Sequence, residues 1–213
     1  MSHDRLISEL SSHLTPVRRR NMAREAAWLV GLGALQLAVF LGSGLMRPDM
    51  GDAAGHPFMW WKLGGLALLV ATSVLTAVRS FSPVASPRRG LVFLVIAAGL
   101  MAMLGAIVSP GGVVAPTLAG RLAPVHGLIC AASIAVLALP MLGMLAYLMR
   151  KGASVHAESS ALAVGMAGGS WGAFVFAFCC PVNDPLYILA WYSLGCAAVV
   201  LPARFILPKY AAL

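Results

Sequence analysis

The sequence predicts an all-α fold: a polytopic membrane bundle of six transmembrane helices with a short N-terminal cytoplasmic amphipathic helix. Three observations predict it. Of the 213 residues, 60% are hydrophobic and only 10% are charged, against roughly 45–50% and 25% in globular domains. Several apolar runs reach the ~20 residues that cross a hydrocarbon core about 30 Å thick. The basic residues sit at the ends of those runs rather than on one polar face, so the net charge of +8 reads as membrane topology and not as a nucleic-acid surface.

Residues 1–25 form a polar head. Leu6, Leu10 and Leu14 recur at helical spacing, Ile7 lies beside them and Val17 extends the stripe. Asp4, Arg5, Ser8, Glu9, Ser11 and Ser12 fill the other faces, the pattern of an amphipathic helix. Pro16 ends it, since proline lacks the amide donor and pushes Thr15 toward an extended conformation. Arg18, Arg19, Arg20 and Arg24 follow at the level of the headgroups. Two readings stand side by side: a helix lying on the membrane, or a docking helix that lays its leucine stripe into a groove on a soluble protein. No apolar core with a small-residue cleavage site precedes residue 26, so the first apolar run is expected to be an uncleaved anchor.

The expected spans are about 26–46, 59–78, 91–108, 125–148, 160–178 and 186–206, with 207–213 as a cytoplasmic tail. Arg47-Pro48, Ser82-Pro83, Pro110-Gly111-Gly112, Pro124, Gly152 and Pro181 punctuate them. Six spans put both termini on one side. That side holds Arg5, Arg18, Arg19, Arg20, Arg24, Arg79, Arg88, Arg89, Arg150, Lys151, Arg204 and Lys209; the other holds Arg47, Lys62 and Arg121. Twelve of the fifteen Lys and Arg on one side is a clear positive-inside asymmetry, so both termini are expected in the cytoplasm.

Glycine and alanine crowd the spans, as at Gly64-Gly65 and Gly165-Met166-Ala167-Gly168-Gly169-Ser170, and small residues let helices approach closely in lipid. Pro140 is expected to kink the fourth span. Ionisable groups are almost absent from the apolar runs. Lys62 lies near an interface and is expected to snorkel, and no carboxylate or histidine stands at mid-depth as in a proton-coupled pump. No Ser/His/Asp set, phosphate loop or His-Glu-x-x-His helix is visible, so the protein is expected not to be an enzyme.

The chemistry concentrates at Cys179-Cys180-Pro181-Val182-Asn183-Asp184-Pro185, a short polar hinge between the last two spans. Cys130 lies about 7 Å into the fourth span from the same end, at 1.5 Å per residue. His126 and Cys130, four apart, share a helix face. With Cys180, its neighbour Cys179 and Asp184 they could supply thiolate, imidazole and carboxylate ligands to a soft or borderline metal. Cys130 could instead pair with Cys179 or Cys180 in an oxidising compartment, or the thiols could simply pack. Cys196, near mid-bilayer, reads as packing. Tyr187, Trp191, Tyr192, Trp60 and Trp61 read as an aromatic belt.

Three features resemble the NrsF-type negative regulators of sigma F. They are the head Leu6-Ile7-Ser8-Glu9-Leu10 with Leu14-Thr15-Pro16-Val17-Arg18-Arg19, Cys130 followed ten residues later by Pro140, and Cys180-Pro181-Val182-Asn183-Asp184-Pro185 with Trp191-Tyr192 after it. The resemblance implies a six-helix inner-membrane anti-sigma factor that holds an extracytoplasmic-function sigma factor and releases it under stress, including heavy-metal stress. It implies that Cys130 and Cys180 take part in the response, with Cys179 an added neighbour. It favours sigma docking through Leu6, Ile7, Leu10 and Leu14, aided by Arg18 and Arg19. No constitutive cofactor is expected, only transient heavy-metal binding at the thiols, with Cys130, Cys180, His126 and Asp184 as candidate ligands. The expected partners are the sigma factor and the bilayer, with no direct nucleic acid. A thiol-redox enzyme coupled to quinone and a small transporter are the alternatives; bound quinone or substrate flux in vesicles distinguishes them.

Overall fold

The computed structural model describes residues 7, 8, 11, 21–83, 85–107, 117–152 and 154–211. Every regular element among them is helical: α1 (Met22–Gly42), α2 (Met50–Ala53), α3 (Pro57–Ser80), α4 (Arg88–Ile107), α5 (Leu118–Leu122), α6 (Pro124–Lys151), α7 (Ala157–Ala177) and α8 (Pro185–Ala211). Six of these, α1, α3, α4, α6, α7 and α8, are long and apolar enough to cross a membrane. They match the six expected spans one for one. The largest offsets lie at the two ends of the chain. Helix α1 begins four residues early because the Asn21 side chain caps it, accepting from the Arg24 amide at 3.1 Å. Helix α8 runs through Pro208 to Ala211, over most of the segment expected as a tail.

Of the head, Ile7, Ser8 and Ser11 are helical, and the Ser11 hydroxyl donates to the Ser8 carbonyl at 3.0 Å. Ile7 is exposed. Leu6, Leu10, Leu14, Arg18 and Arg19 lie outside the described residues.

Helix α7 is the axis of the bundle, with α3, α6 and α8 packed around it; α6 and α8 also touch each other, α4 lies on α3, and α1 lies chiefly on α6. The sequence explains this order. A methyl at Gly165 would stand 2.9 Å from the Val200 Cα, and one at Gly172 would overlap the Ile134 carbonyl. These glycines bring α7 against the backbones of α8 and α6, where van der Waals packing holds helices together in lipid. Serines join the layers: the Ser73 and Ser170 hydroxyls meet at 3.0 Å. An apolar cavity of about 350 Å³ lies between α3, α4, α7 and α8, lined by Leu66, Leu94, Met101, Ala173 and Val200 among others.

Pro140 lies inside an otherwise continuous α6. Proline withholds an amide donor and its ring crowds the preceding turn. In that turn the Leu137 carbonyl accepts from Gln36 Nε2 at 2.7 Å, and Gln36 Oε1 accepts from the Trp171 indole at 2.9 Å. One neutral side chain of α1 thus ties it to both α6 and α7.

Candidate functional site

The hinge after α7 forms because Pro181 cannot extend the helix. The Cys179 and Cys180 amides both donate to the Phe176 carbonyl, at 3.0 and 3.1 Å, tightening the last turn before the chain leaves it. Asp184 starts α8. Its carboxylate accepts from the Leu186 amide at 2.8 Å, and its carbonyl accepts from the Ile188 amide at 3.1 Å. Arg121 grips the same carboxylate with two bonds of 2.9 Å. Ala123, between α5 and α6, takes a left-handed conformation (φ 39°), one costly for a residue with a Cβ. The Arg121 bond, together with the Leu186 amide, holds the Asp184 carboxyl below the usual carboxylate range.

The hinge carbonyls point toward two buried cations. Lys62 is fully buried and donates to the Cys180 carbonyl at 3.1 Å and the Val182 carbonyl at 3.4 Å. Lys62 therefore does not snorkel as expected. The C-terminal end of α7 presents unpaired carbonyls and the negative pole of the helix dipole, and these attract the ammonium inward. Arg47, 3% exposed, donates its backbone amide to the Phe178 carbonyl at 3.1 Å. Its guanidinium reaches Asn183 Oδ1 at 3.2 Å and the Cys180 carbonyl at 3.5 Å, and forks onto Asp49 at 2.7 and 2.6 Å. That fork lowers the Asp49 pKa.

Beneath this polar lid lie the thiols. Cys130 and Cys180, 9% and 2% exposed, share one buried cluster with Tyr187, Tyr192, Ile134 and Phe176. The Cys130 thiol meets the Tyr187 hydroxyl at 3.1 Å, and Cys180 packs in the same cluster. The buried Tyr192 hydroxyl has no hydrogen-bond partner among the described residues. All four cysteines are free thiols.

The structure brings together some of the expected residues and separates others. Cys130 and Cys180 share one buried cluster. Cys179 lies half-buried at the edge of the cluster, where burial pushes its thiol pKa up. His126 faces outward from α6, and Asp184 is committed to Arg121. No three His, Cys, Asp or Glu side chains among the described residues group to hold a metal, so the expected four-ligand set does not assemble. Cys196 faces the backbone of α7 at Gly169, in keeping with packing.

The aromatic belt also needs correcting. Trp60 is exposed as a belt residue is, but Tyr187 and Tyr192 are buried in the thiol cluster. Trp61 donates to the Met101 carbonyl at 2.9 Å and Trp191 to the Leu122 carbonyl at 2.7 Å. Gly127 leaves no room for a Cβ beside the Trp191 ring, which lets α8 close against the start of α6. These rings turn inward because they sit on the helix face that meets the bundle.

Comparison with known proteins follows the same residues. A family model described as negative regulator of sigma F matches residues 10–211. A protein of Caulobacter vibrioides (strain NA1000 / CB15N) named anti-sigma-F factor NrsF is 29% identical over 203 residues, covering 93% of this chain and 94% of that protein. No solved structure matches.

Proposed function

The chain belongs to the family of negative regulators of sigma F, and we propose that it is a membrane-embedded anti-sigma factor whose thiol cluster senses stress. On this reading the head binds a sigma factor of the extracytoplasmic-function type through Leu6, Ile7, Leu10 and Leu14. The thiol end of the bundle faces the periplasm and both termini face the cytoplasm of an inner membrane. The charges support that orientation: Arg79, Arg88, Arg89, Arg150 and Lys151 lie at the helix ends opposite the thiols, whereas Arg47 and Arg121 at the thiol end are each neutralised by an aspartate.

The observation that carries the reading is the burial of Cys130 and Cys180 in one cluster, in a chain matched over nearly its whole length by an anti-sigma family. Two thiols in reach of each other can be bridged by a soft metal as thiolates, each giving up its proton. They can also form a disulfide, giving two electrons and two protons to an oxidant. Either change shifts sigma binding only by the difference in its affinity for two arrangements of the bundle. A tenfold change in retained sigma needs about 1.4 kcal/mol of such coupling, within reach of one thiolate–metal contact.

Deleting residues 2–20 tests the output: sigma-dependent transcription rises while the protein still inserts. An unchanged transcriptome sinks the reading. Replacing Cys130 and Cys180 by Ser tests the input and abolishes induction by cadmium; induction that persists reduces the thiols to packing.

A further inference from the structure

A change at Cys180 must reach residues on the far side of the bilayer, and the contacts of the Cys180 carbonyl indicate the route. That oxygen has two cationic partners, Lys62 of α3 and Arg47. Arg47 follows α1 by only a few residues, after the Ser43 and Gly44 amides close that helix on the Val39 and Leu41 carbonyls. Helix α1 in turn leads back into the head. Resting on the proposed function, we infer that Arg47 couples the hinge to α1, so that displacement of Cys180 is carried across the membrane by movement of the first span about Gln36.

The geometry supports each part of this route. Bridging Cys130 and Cys180 draws the Cys180 thiol toward Cys130 and takes Cys130 from Tyr187. Movement of the Cys180 backbone is passed to the Arg47 guanidinium, which holds the hinge at two points, the Cys180 carbonyl at 3.5 Å and Asn183 Oδ1 at 3.2 Å. Six residues before the Gly42 end of α1, Gln36 is fixed to two other helices through Leu137 and Trp171, while most of α1 faces outward. Helix α1 extends about 9 Å from Gln36 to Gly42 and about 21 Å from Gln36 to Met22, at 1.5 Å per residue. A rigid helix held at Gln36 therefore roughly doubles at its inner end any displacement made at its outer end.

The test uses the intact protein in its own membrane, a sigma-dependent reporter, and cadmium as the thiol-seeking probe. Protection of Cys130 and Cys180 from alkylation by N-ethylmaleimide reports metal binding. Arg47→Met is expected to cut the cadmium-induced rise in the reporter at least tenfold, while cadmium still protects both thiols. Inserting two glycines after Ser43 leaves Arg47 in place but frees α1 from it. That insertion is expected to have the same effect, and it decides the matter where Arg47→Met fails to accumulate. Full induction in the insertion variant overturns the inference. So does loss of thiol protection in Arg47→Met, which places Arg47 in the metal site rather than downstream of it. Deletion of residues 2–20 in the same strain separates the two levels. If the deletion raises the reporter and the insertion induces normally, the coupling alone is wrong; if the deletion changes nothing, the anti-sigma reading itself falls.

Discussion

Helices α1 and α7 have nearly equal length and hydropathy, yet they occupy opposite situations. In α7, 78% of the most apolar stretch is buried inside the protein, against 17% in α1. Hydropathy selects segments that leave water, and it does not distinguish a lipid-facing helix from a protein-buried one, because lipid tails are as apolar as leucine. Side-chain size separates them. Helix α7 meets its neighbours through Gly165, Gly168, Gly169 and Gly172, while α1 presents Trp28, Val30, Leu35 and Val39 outward. What holds α1 is local: Leu29 and Gly33 packed against the bundle, Gln36 two-thirds of the way along it, and Arg47 just beyond its end.

The largest expected effect breaks this comparison at α7. Gly172→Leu places a side chain against the α6 backbone at Ile134 and Ala138, which cannot move aside as a side-chain tip can. Overpacking of this kind costs about 3 kcal/mol or more. Gly31→Leu on α1 meets nothing within 4 Å and is expected to change stability by less than about 0.5 kcal/mol. Thermal unfolding of the detergent-solubilised protein measures both. Equal losses at the two sites contradict the packing order described above.

Gln36→Leu sharpens the comparison at α1. It removes the donor to the Leu137 carbonyl and the acceptor of the Trp171 indole, with little change in side-chain volume. Interhelical hydrogen bonds in membranes average about 0.6 kcal/mol, with a maximum near 1.7, so losing two is expected to cost about 1–2 kcal/mol in the same assay. No loss of stability would remove Gln36 as the fixed point of α1.

The spans were legible in the sequence because length and apolarity alone identify them. The clustering of Cys130 with Cys180 was legible in part, because the order of the spans put both thiols at one end. Lys62 and Arg47 were not. A lysine six residues into a helix can rise to the interface or turn inward, and the choice depends on where the carbonyl end of α7 lies, which is a tertiary fact. The cost of burying an ammonium was the available signal: Lys62 lies inside an apolar span with no acid nearby in sequence. Tyr187 and Tyr192 were misread for a related reason. Aromatics at the start of a span match a belt whichever way their helix face turns, and here the face meets Cys130 and Cys180. Gln36 stood out as polar, but its partners lie about a hundred and more residues away.

The smallest expected effect concerns the turns that follow the two helices, each closed by an Arg–Asp fork. Arg121–Asp184 joins distant elements, with side chains 33% and 20% exposed; in Arg47–Asp49 the acid is 50% exposed and lies two residues from its partner. Only in the first does the aspartate itself belong to the hinge over the thiols. Its lowered carboxyl pKa fixes the sign of the pH dependence. The stabilisation is fully present above the unfolded aspartate value of about 3.9 and is lost as pH falls through the lower folded value. Wild type is expected to keep this contribution from pH 7 to 5 and to lose it toward pH 3. Asp184→Asn should be less stable at pH 7 by about 1 kcal/mol or less, as for partly exposed pairs, with the gap closing as the acid range is entered. Asp49→Asn should follow wild type closely. A gap that persists unchanged at low pH assigns Asp184 a role through its helix-capping bonds alone, and the clamp on the hinge would then owe nothing to its charge.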